Sequence, residues 1–274
     1  MRTYCLLYLL AFLMFGRVTL ANGAEETRPL PNRQEGIFIA HDFHFQSDET
    51  LPELKLAYTT LGTRQRDPSG NITNAVLLLH GTTGTGANWL APSLAEALFR
   101  EGQPFDAGKY FLILADSIGL GRSAKPSDGL KAKFPHYGYR DMVEAQYRLV
   151  TEGLGVKHLR LVLGTSMGGM QTWLWAERYP DMMDAAVAIA SQPTEISGRN
   201  LLWRRVIIET IRNDPDWNGS NYTAPPTRFT FVAPLFSLMV DSATHLQAIA
   251  PTREKAIAYY DQLVQNARRR DAND

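Results

Sequence analysis

Short apolar runs alternate with amphipathic stretches through the first two thirds of the chain. Helical spacing of apolar positions at residues 141–151 and 167–178 predicts two helices between the later runs. The nearly continuous apolar runs are typical of strands that are covered on both faces. Six strands are predicted, at residues 36–45, 54–60, 75–79, 110–115, 159–163 and 185–190. This alternation predicts an α/β fold with a mostly parallel sheet flanked by helices.

The pattern changes after Ser191. Residues 198–213 predict a helix, residues 214–227 form a polar stretch with Pro, Asn and Gly, and further helical segments continue to residue 270. No buried-type strand is predicted there. We therefore expect a core at residues 36–191 and a helical lid at residues 192–274.

Composition and charge limit the possible partners. The chain has 274 residues, of which 45% are hydrophobic, and this is enough for one main domain with a lid. Lys plus Arg and Asp plus Glu both number 28, and no basic stripe stands out. Nucleic acid is therefore not an expected partner.

Residues 1–24 have the layout of a secretory signal peptide, with Arg2, an apolar run at residues 4–15 and small residues around Ala21. The run is shorter than a comfortable membrane span, and no later segment approaches one. An uncleaved membrane anchor is the alternative. The only cysteine, Cys5, lies in this leader, so we expect an exported, periplasmic or secreted protein without disulfides.

The segment Gly164-Thr165-Ser166-Met167-Gly168 matches the G-x-S-x-G nucleophile elbow. It follows a predicted strand and opens a predicted helix, and this is the context that the motif requires. The glycines permit a sharp turn that exposes Ser166, while the N–H of Met167 points at the developing oxyanion. The pattern predicts that Ser166 is a catalytic nucleophile.

A second oxyanion donor is expected in the loop that follows the strand at residues 75–79. His80-Gly81-Thr82 begins this loop, and the Thr82 N–H is the candidate, while His80 is expected to be structural. The glycines at residues 115–123 lack the G-x-G-x-x-G spacing, so nucleotide binding is rejected. We expect no cofactor and no metal.

Four segments carry a family resemblance. Arg-Asp-Met-Val-Glu-Ala-Gln lies at residues 140–146 and Ser-Met-Gly-Gly-Met-Gln at residues 166–171, with Phe-Asp-Ala-Gly-Lys-Tyr-Phe at 105–111 and Arg-Tyr-Pro at 178–180. The chain resembles the homoserine O-acetyltransferase branch of the α/β-hydrolase superfamily from about residue 36 to residue 191. The resemblance implies that Ser166 accepts the acyl group and that Thr82 and Met167 form the oxyanion hole.

The resemblance also implies a triad acid and a histidine base after two further strands, beyond the lid. We expect both positions and these last strands to be missing here, because the chain ends at Asp274 in lid sequence. No other histidine is expected to act as the base, and the six are His41, His44, His80, His136, His158 and His245. Arg228 is nearest to the family's carboxylate-binding arginine but lacks its neighbours.

Three functions remain open at this point. The first is a serine ester hydrolase that acts on a small-molecule acyl ester through Ser166. The second is a homoserine O-acetyltransferase-like acyltransferase, and the third is an inactive remnant or binding scaffold. The apolar strand at residues 185–190 would form an unpaired sheet edge, so self-association into a homo-oligomer and low solubility are also expected.

Overall fold

The computed structural model describes residues 29–270, 272 and 274, and the predicted signal peptide lies outside them. The described chain divides into two compact units. The first comprises residues up to Lys125 together with Pro135–Thr194, and the second comprises Pro126–Phe134 and Glu195–Asp274.

The first unit is built on a six-stranded sheet in the order β1-β2-β4-β3-β5-β6. The strands are β1 (Gln34–His44), β2 (Thr50–Leu61), β3 (Ala75–Leu79), β4 (Phe111–Ala115), β5 (Leu161–Thr165) and β6 (Ala186–Ile189). β1 and β2 are antiparallel, and β2 is also antiparallel to β4. The β4–β3, β3–β5 and β5–β6 pairs are parallel, so the prediction of a mostly parallel sheet is confirmed.

Every residue of β3 and β4 is buried, as their continuous apolar sequences predict. One face of this central sheet carries a core that contains Leu78, Leu112, Leu163 and the indole of Trp89. β6 pairs only with β5 within the described sheet, and its side chains are exposed or half-buried. The prediction that β6 forms an edge is confirmed, whereas self-association stays a prediction.

The helices of the first unit are α1 (Pro92–Leu98), α2 (Tyr139–Arg148) and α3 (Met167–Arg178). α2 continues into one π-helical turn at Leu149–Gly153. α1 was not predicted, because seven residues are too few to show a helical period. The strand predicted at residues 159–163 begins two residues later, since Leu159 makes only an isolated bridge to Met183.

The second unit is helical, as predicted for residues after 191. Its helices are α4 (Gly198–Arg212), α5 (Thr227–Val232), α6 (Pro234–Val240), α7 (Ala243–Ile249) and α8 (Arg253–Ala267). The polar stretch after α4 contains a short 3₁₀ helix, Pro215–Ser220. The buried Asp214 carboxylate caps two segments by accepting hydrogen bonds from Asp216 N at 3.0 Å and Arg228 N at 2.6 Å.

A helix that spans a membrane must be both long enough and apolar enough. Within residues 29–270, no single helix meets both requirements. The bent pair Thr227–Val240 and Ala243–Ile249 meets them only when its two parts are counted together.

Candidate active site

Ser166 occupies the turn between β5 and α3, where its backbone adopts φ 52° and ψ −113°. A positive φ is unfavourable for a residue with a Cβ, so this conformation must be held by its surroundings. Ser166 N donates to Ile189 O at 2.8 Å, and Ser166 O accepts from Met170 N at 3.0 Å. The side chain is exposed, and its hydroxyl makes no hydrogen bond to any described residue.

Three glycines around Ser166 lie where a side chain would not fit. A Cβ at Gly164 would overlap the carbonyl oxygen of Gly168, and a Cβ at Gly168 would overlap that of Leu79. A Cβ at Gly169 would come within 2.5 Å of Ser191 Oγ. The motif is therefore required by close packing of α3 against the ends of β3, β5 and β6.

The loop after β3 lies directly beside Ser166. A Cβ built on Gly81 would lie 3.5 Å from Ser166 Cβ and 3.5 Å from Thr165 O. The backbone N–H groups of Thr82 and Met167 donate to no acceptor among the residues described here. Met167 is the first residue of α3, so its N–H has no partner within the helix and lies at the positive end of the helix dipole. Both predicted oxyanion donors are thus available.

His80 is buried and holds the loops after β3 and β4 together. Its Nε2 accepts a hydrogen bond from Ser117 N at 3.0 Å, and its Nδ1 lies 2.8 Å from Gly81 O. Burial lowers the pKa of His80 below its usual value, and the Gly81 contact and the nearby Asp116 charge oppose this shift. With both ring nitrogens engaged, His80 has the structural contacts expected from the sequence.

Asp116 organises the glycine-containing loop after β4. Its Oδ1 accepts from Gly86 N at 2.7 Å, and its Oδ2 accepts from Arg122 N at 3.0 Å. Gly121 has φ 61°, and a Cβ there would overlap the Asp116 carboxylate. Gly121 therefore serves a tight loop that is capped by the Asp116 carboxylate.

Strained non-glycine residues gather at the carboxyl ends of the parallel strands. Thr83 follows β3 with φ 61°, Ser166 follows β5, and Ala190 follows β6 with φ 51°. Open α/β sheets bind their ligands at this edge. Ile189 and Ala190 were not predicted to support the site, because nothing in the residue types signals the bond to Ser166 or the positive φ.

The remaining histidines make contacts elsewhere. His44 Nδ1 lies 3.0 Å from Thr50 Oγ1, and His136 Nδ1 lies 3.0 Å from Glu49 Oε2. His158 is engaged through both ring nitrogens, with Asp181 O and Asp184 Oδ1. His41 lies 3.9 Å from Glu53 on the exposed side of β1.

Two side chains considered from the sequence, one as a base and one as a carboxylate-binding residue, belong to the second unit. His245 Nδ1 lies 2.7 Å from Asp241 Oδ2, and Asp241 lies in the link between α6 and α7. Arg228 Nη1 donates to Asn213 O at 2.7 Å, at the carboxyl end of α4. The Arg228 guanidinium therefore serves the end of a helix, which is a structural role.

The segments that carry the family resemblance form a buried polar network between α2 and α3. Gln146 Nε2 donates to Gln171 Oε1 at 2.6 Å, and Trp175 Nε1 donates to Gln146 Oε1 at 2.9 Å. All three side chains are fully buried. Because buried amides need partners, this network fixes how α3 packs and thereby supports the helix that begins at Met167.

A second contact joins the same two helices near their solvent side. Tyr179 Oη donates to Glu144 Oε2 at 2.6 Å. Partial burial first, and then the bond to Glu144, raise the pKa of Tyr179 to about 12. The Tyr179 ring also stacks on Tyr147, with ring centroids 4.1 Å apart. Some residues of the segments that carry the family resemblance therefore have structural roles.

Comparison with known proteins agrees with this architecture. The sequence model of the alpha/beta hydrolase fold family matches residues 74–248. The homoserine O-acetyltransferase of Chloroherpeton thalassium is 37% identical over 188 residues, which are 64% of this chain and 46% of that protein. The chain spans about half the length of the curated relatives it matches, from 46% to 56%.

Solved structures with the same fold include an esterase and an acetyltransferase. An acetylester hydrolase from Corynebacterium glutamicum superposes with a TM-score of 0.72 and 25% identity, covering 88% of this chain and 69% of that one. A homoserine O-acetyltransferase from Bacillus anthracis has a TM-score of 0.75 at 20% identity, over 88% and 73% of the two chains, and shows the fold. The chain belongs to the α/β-hydrolase fold family and resembles its homoserine O-acetyltransferase-like branch.

Proposed function

We propose that this protein is a serine-dependent ester hydrolase in which Ser166 accepts the acyl group of a small-molecule ester. The observation that carries the proposal is the conformation of Ser166, whose exposed hydroxyl sits on a strained turn beside two unpaired backbone N–H groups. Strain of about 1–3 kcal/mol persists at a residue only where its surroundings impose it, commonly at an active site.

The chemistry proceeds in two steps. Ser166 Oγ attacks the acyl carbonyl while its proton passes to water, because no histidine of the described chain contacts this hydroxyl. The N–H groups of Thr82 and Met167 stabilise the oxyanion. The bond between the carbonyl carbon and the alkoxide then breaks, and the alkoxide leaves with a proton as the alcohol. Water attacks the acyl-serine in the second step, which releases the acid and regenerates the hydroxyl.

Hydrolysis of 4-nitrophenyl acetate tests this proposal. The wild-type chain is expected to release 4-nitrophenolate faster than Ser166→Ala does. Ser69→Ala is the matched control, because Ser69 is an exposed residue of the turn at residues 67–70. Equal rates for the wild type and Ser166→Ala would contradict the proposal.

Transfer of an acetyl group to homoserine is the second candidate function. The similarity to proteins named homoserine O-acetyltransferase favours it. The engagement of Arg228 with Asn213 O favours hydrolysis, because this guanidinium is already committed to a carbonyl. Transfer to homoserine would be supported if O-acetylhomoserine formed from acetyl-CoA and homoserine faster than free acetate is released from acetyl-CoA or from O-acetylhomoserine. Ligand binding without turnover of any ester would support the binding-scaffold alternative.

We also propose that the protein is exported from the cytoplasm. The pattern at residues 1–24 supports it, and an exported enzyme would meet water more readily than acetyl-CoA. The mass of the protein purified from its native host would locate the mature amino terminus. Cleavage after the small residues at 21–24 is expected, and retention of Met1 with the whole leader would contradict cleavage.

A further inference from the structure

The peptide unit between Gly81 and Thr82 has its two polar groups in different environments. The carbonyl oxygen of Gly81 lies 2.8 Å from His80 Nδ1 and accepts from Gly84 N at 3.1 Å. The N–H of Thr82 donates to no acceptor in the described part of the chain. In a planar trans peptide the C=O and N–H point in opposite directions, so groups that hold the oxygen also aim the N–H.

The contact with Ser117 determines which nitrogen of His80 carries the proton. A backbone N–H can only donate, so the Ser117 N–H at 3.0 Å requires an unprotonated Nε2. A neutral imidazole then carries its proton on Nδ1, and Gly81 O can only accept it. The two contacts are thus compatible with a single neutral tautomer.

Burial makes this arrangement rigid. His80 is 2% exposed and Ser117 is 1% exposed. The ring therefore connects the loop after β3 to the first turn after β4, and both of those strands are fully buried. Rotation of the imidazole would break both hydrogen bonds in a place that water does not reach, which is costly.

We propose that His80 is a positioning residue that orients the Thr82 N–H toward the oxyanion at Ser166, by donating from Nδ1 to the carbonyl oxygen of Gly81. This inference rests on the proposed function, because it needs an oxyanion at Ser166. His80 does not touch the acyl group. It acts through the Gly81–Thr82 peptide unit, whose N–H donates to the oxyanion.

Two variants separate the two sides of the ring. His80→Asn places a side-chain amide near the position of Nδ1, so it keeps a donor for Gly81 O and loses the acceptor for Ser117 N–H. His80→Gln places its amide near the position of Nε2, so it keeps the acceptor for Ser117 N–H and loses the donor. Each variant removes one buried hydrogen bond, so the two are matched in structural cost.

The measurement is the second-order rate constant of phosphonylation by a fluorophosphonate, with Ser166→Ala as the blank and thermal unfolding recorded for each variant. His80→Asn should react at close to the wild-type rate. His80→Gln should be slower by about tenfold to a hundredfold, which is less than the loss of about 10²–10³ for removal of an oxyanion donor. Both variants should show similar decreases in melting temperature.

The outcomes separate this inference from the proposed function. Equal rates for the two variants, or a slower His80→Asn, would overturn the positioning role while leaving Ser166 as the nucleophile. A wild-type chain that is not phosphonylated at Ser166 would overturn the proposed function and the positioning role with it. If His80 had only a structural role, the phosphonylation rates of the variants would correlate with their melting temperatures. They would not depend on whether the variant keeps a hydrogen-bond donor for Gly81 O.

Discussion

The backbone N–H of Ser166 donates a hydrogen bond to the carbonyl oxygen of Ile189 at 2.8 Å. This bond joins the turn after β5 to the last residue of β6, and the next residue, Ala190, also has a positive φ of 51°. The edge of the sheet therefore holds the strained backbone of Ser166 from one side, while α3 holds it from the other through Met170 N.

Replacement of Ser166 by glycine should stabilise the fold relative to replacement by alanine. Glycine adopts positive φ without a steric penalty, whereas alanine keeps the Cβ that causes the strain. The expected difference in the free energy of unfolding is about 1–2 kcal/mol in favour of Ser166→Gly. Urea unfolding of the two variants measures it. Equal stabilities would show that the turn stores no strain at this position.

Gly168→Ala should destabilise the protein by about 1–3 kcal/mol or more, since an added methyl group must displace packed atoms. Those atoms are the backbone oxygens of Leu79 and His80, which belong to a buried strand and its end and have little freedom to move. Gly81→Ala is the matched control, because its Cβ would meet Ser166 Cβ at an ordinary 3.5 Å. A melting temperature for Gly168→Ala as high as that of Gly81→Ala would refute the packing argument.

Gln146 and Trp175 should show energetic coupling. Gln146→Leu leaves the buried Trp175 Nε1 without its acceptor and Gln171 Oε1 without its donor, at a cost of about 1–3 kcal/mol for each group. Combining it with Trp175→Phe should cost less than the sum of the single changes, with a coupling of about 0.5–3 kcal/mol. Trp173→Phe on the exposed side of α3 is the control, and it should add independently.

Stability should fall as the pH drops below the usual histidine pKa of 6.5, because burial lowers the pKa of His80 in the folded state. In that range the unfolded chain binds a proton that the folded chain does not, so acid favours unfolding. Urea unfolding between about pH 7.5 and 5.5 measures the slope, and carboxylates titrate mainly below this window. Both His80→Asn and His80→Gln should reduce the slope. An unchanged slope would place the acid sensitivity in other groups.

The sequence predicted the buried strands best. β3 matches its predicted residues, and β4 differs by one, because continuous apolar runs leave few alternatives. β2 starts four residues earlier than predicted, since its first half is mostly exposed and includes Pro52 and Glu53. A half-exposed antiparallel strand gives a weaker apolar signal than a central parallel one.

Features that depend on long-range contacts were not predictable from the sequence. Residues 126–134 group with the helical second unit, although residues 135–194 of the first unit separate them from the rest of it in the sequence. The elbow motif predicted Ser166 and Met167, and the loop after β3 predicted Thr82. The roles of Ile189 and Ala190 depend instead on how β6 ends against β5. A residue's positive φ leaves no mark in the sequence when that residue is alanine or threonine.

Identification of the residue that a fluorophosphonate modifies tests the central claim most directly. The intact chain should gain the mass of one phosphonyl group, and peptide mapping should place it on Ser166. Ser166→Ala should gain no mass under the same conditions, while Ser69→Ala should react as the wild type does. An adduct on any other residue, or a wild-type chain that stays unmodified while it is folded, would contradict the assignment of Ser166 as the acyl-accepting nucleophile.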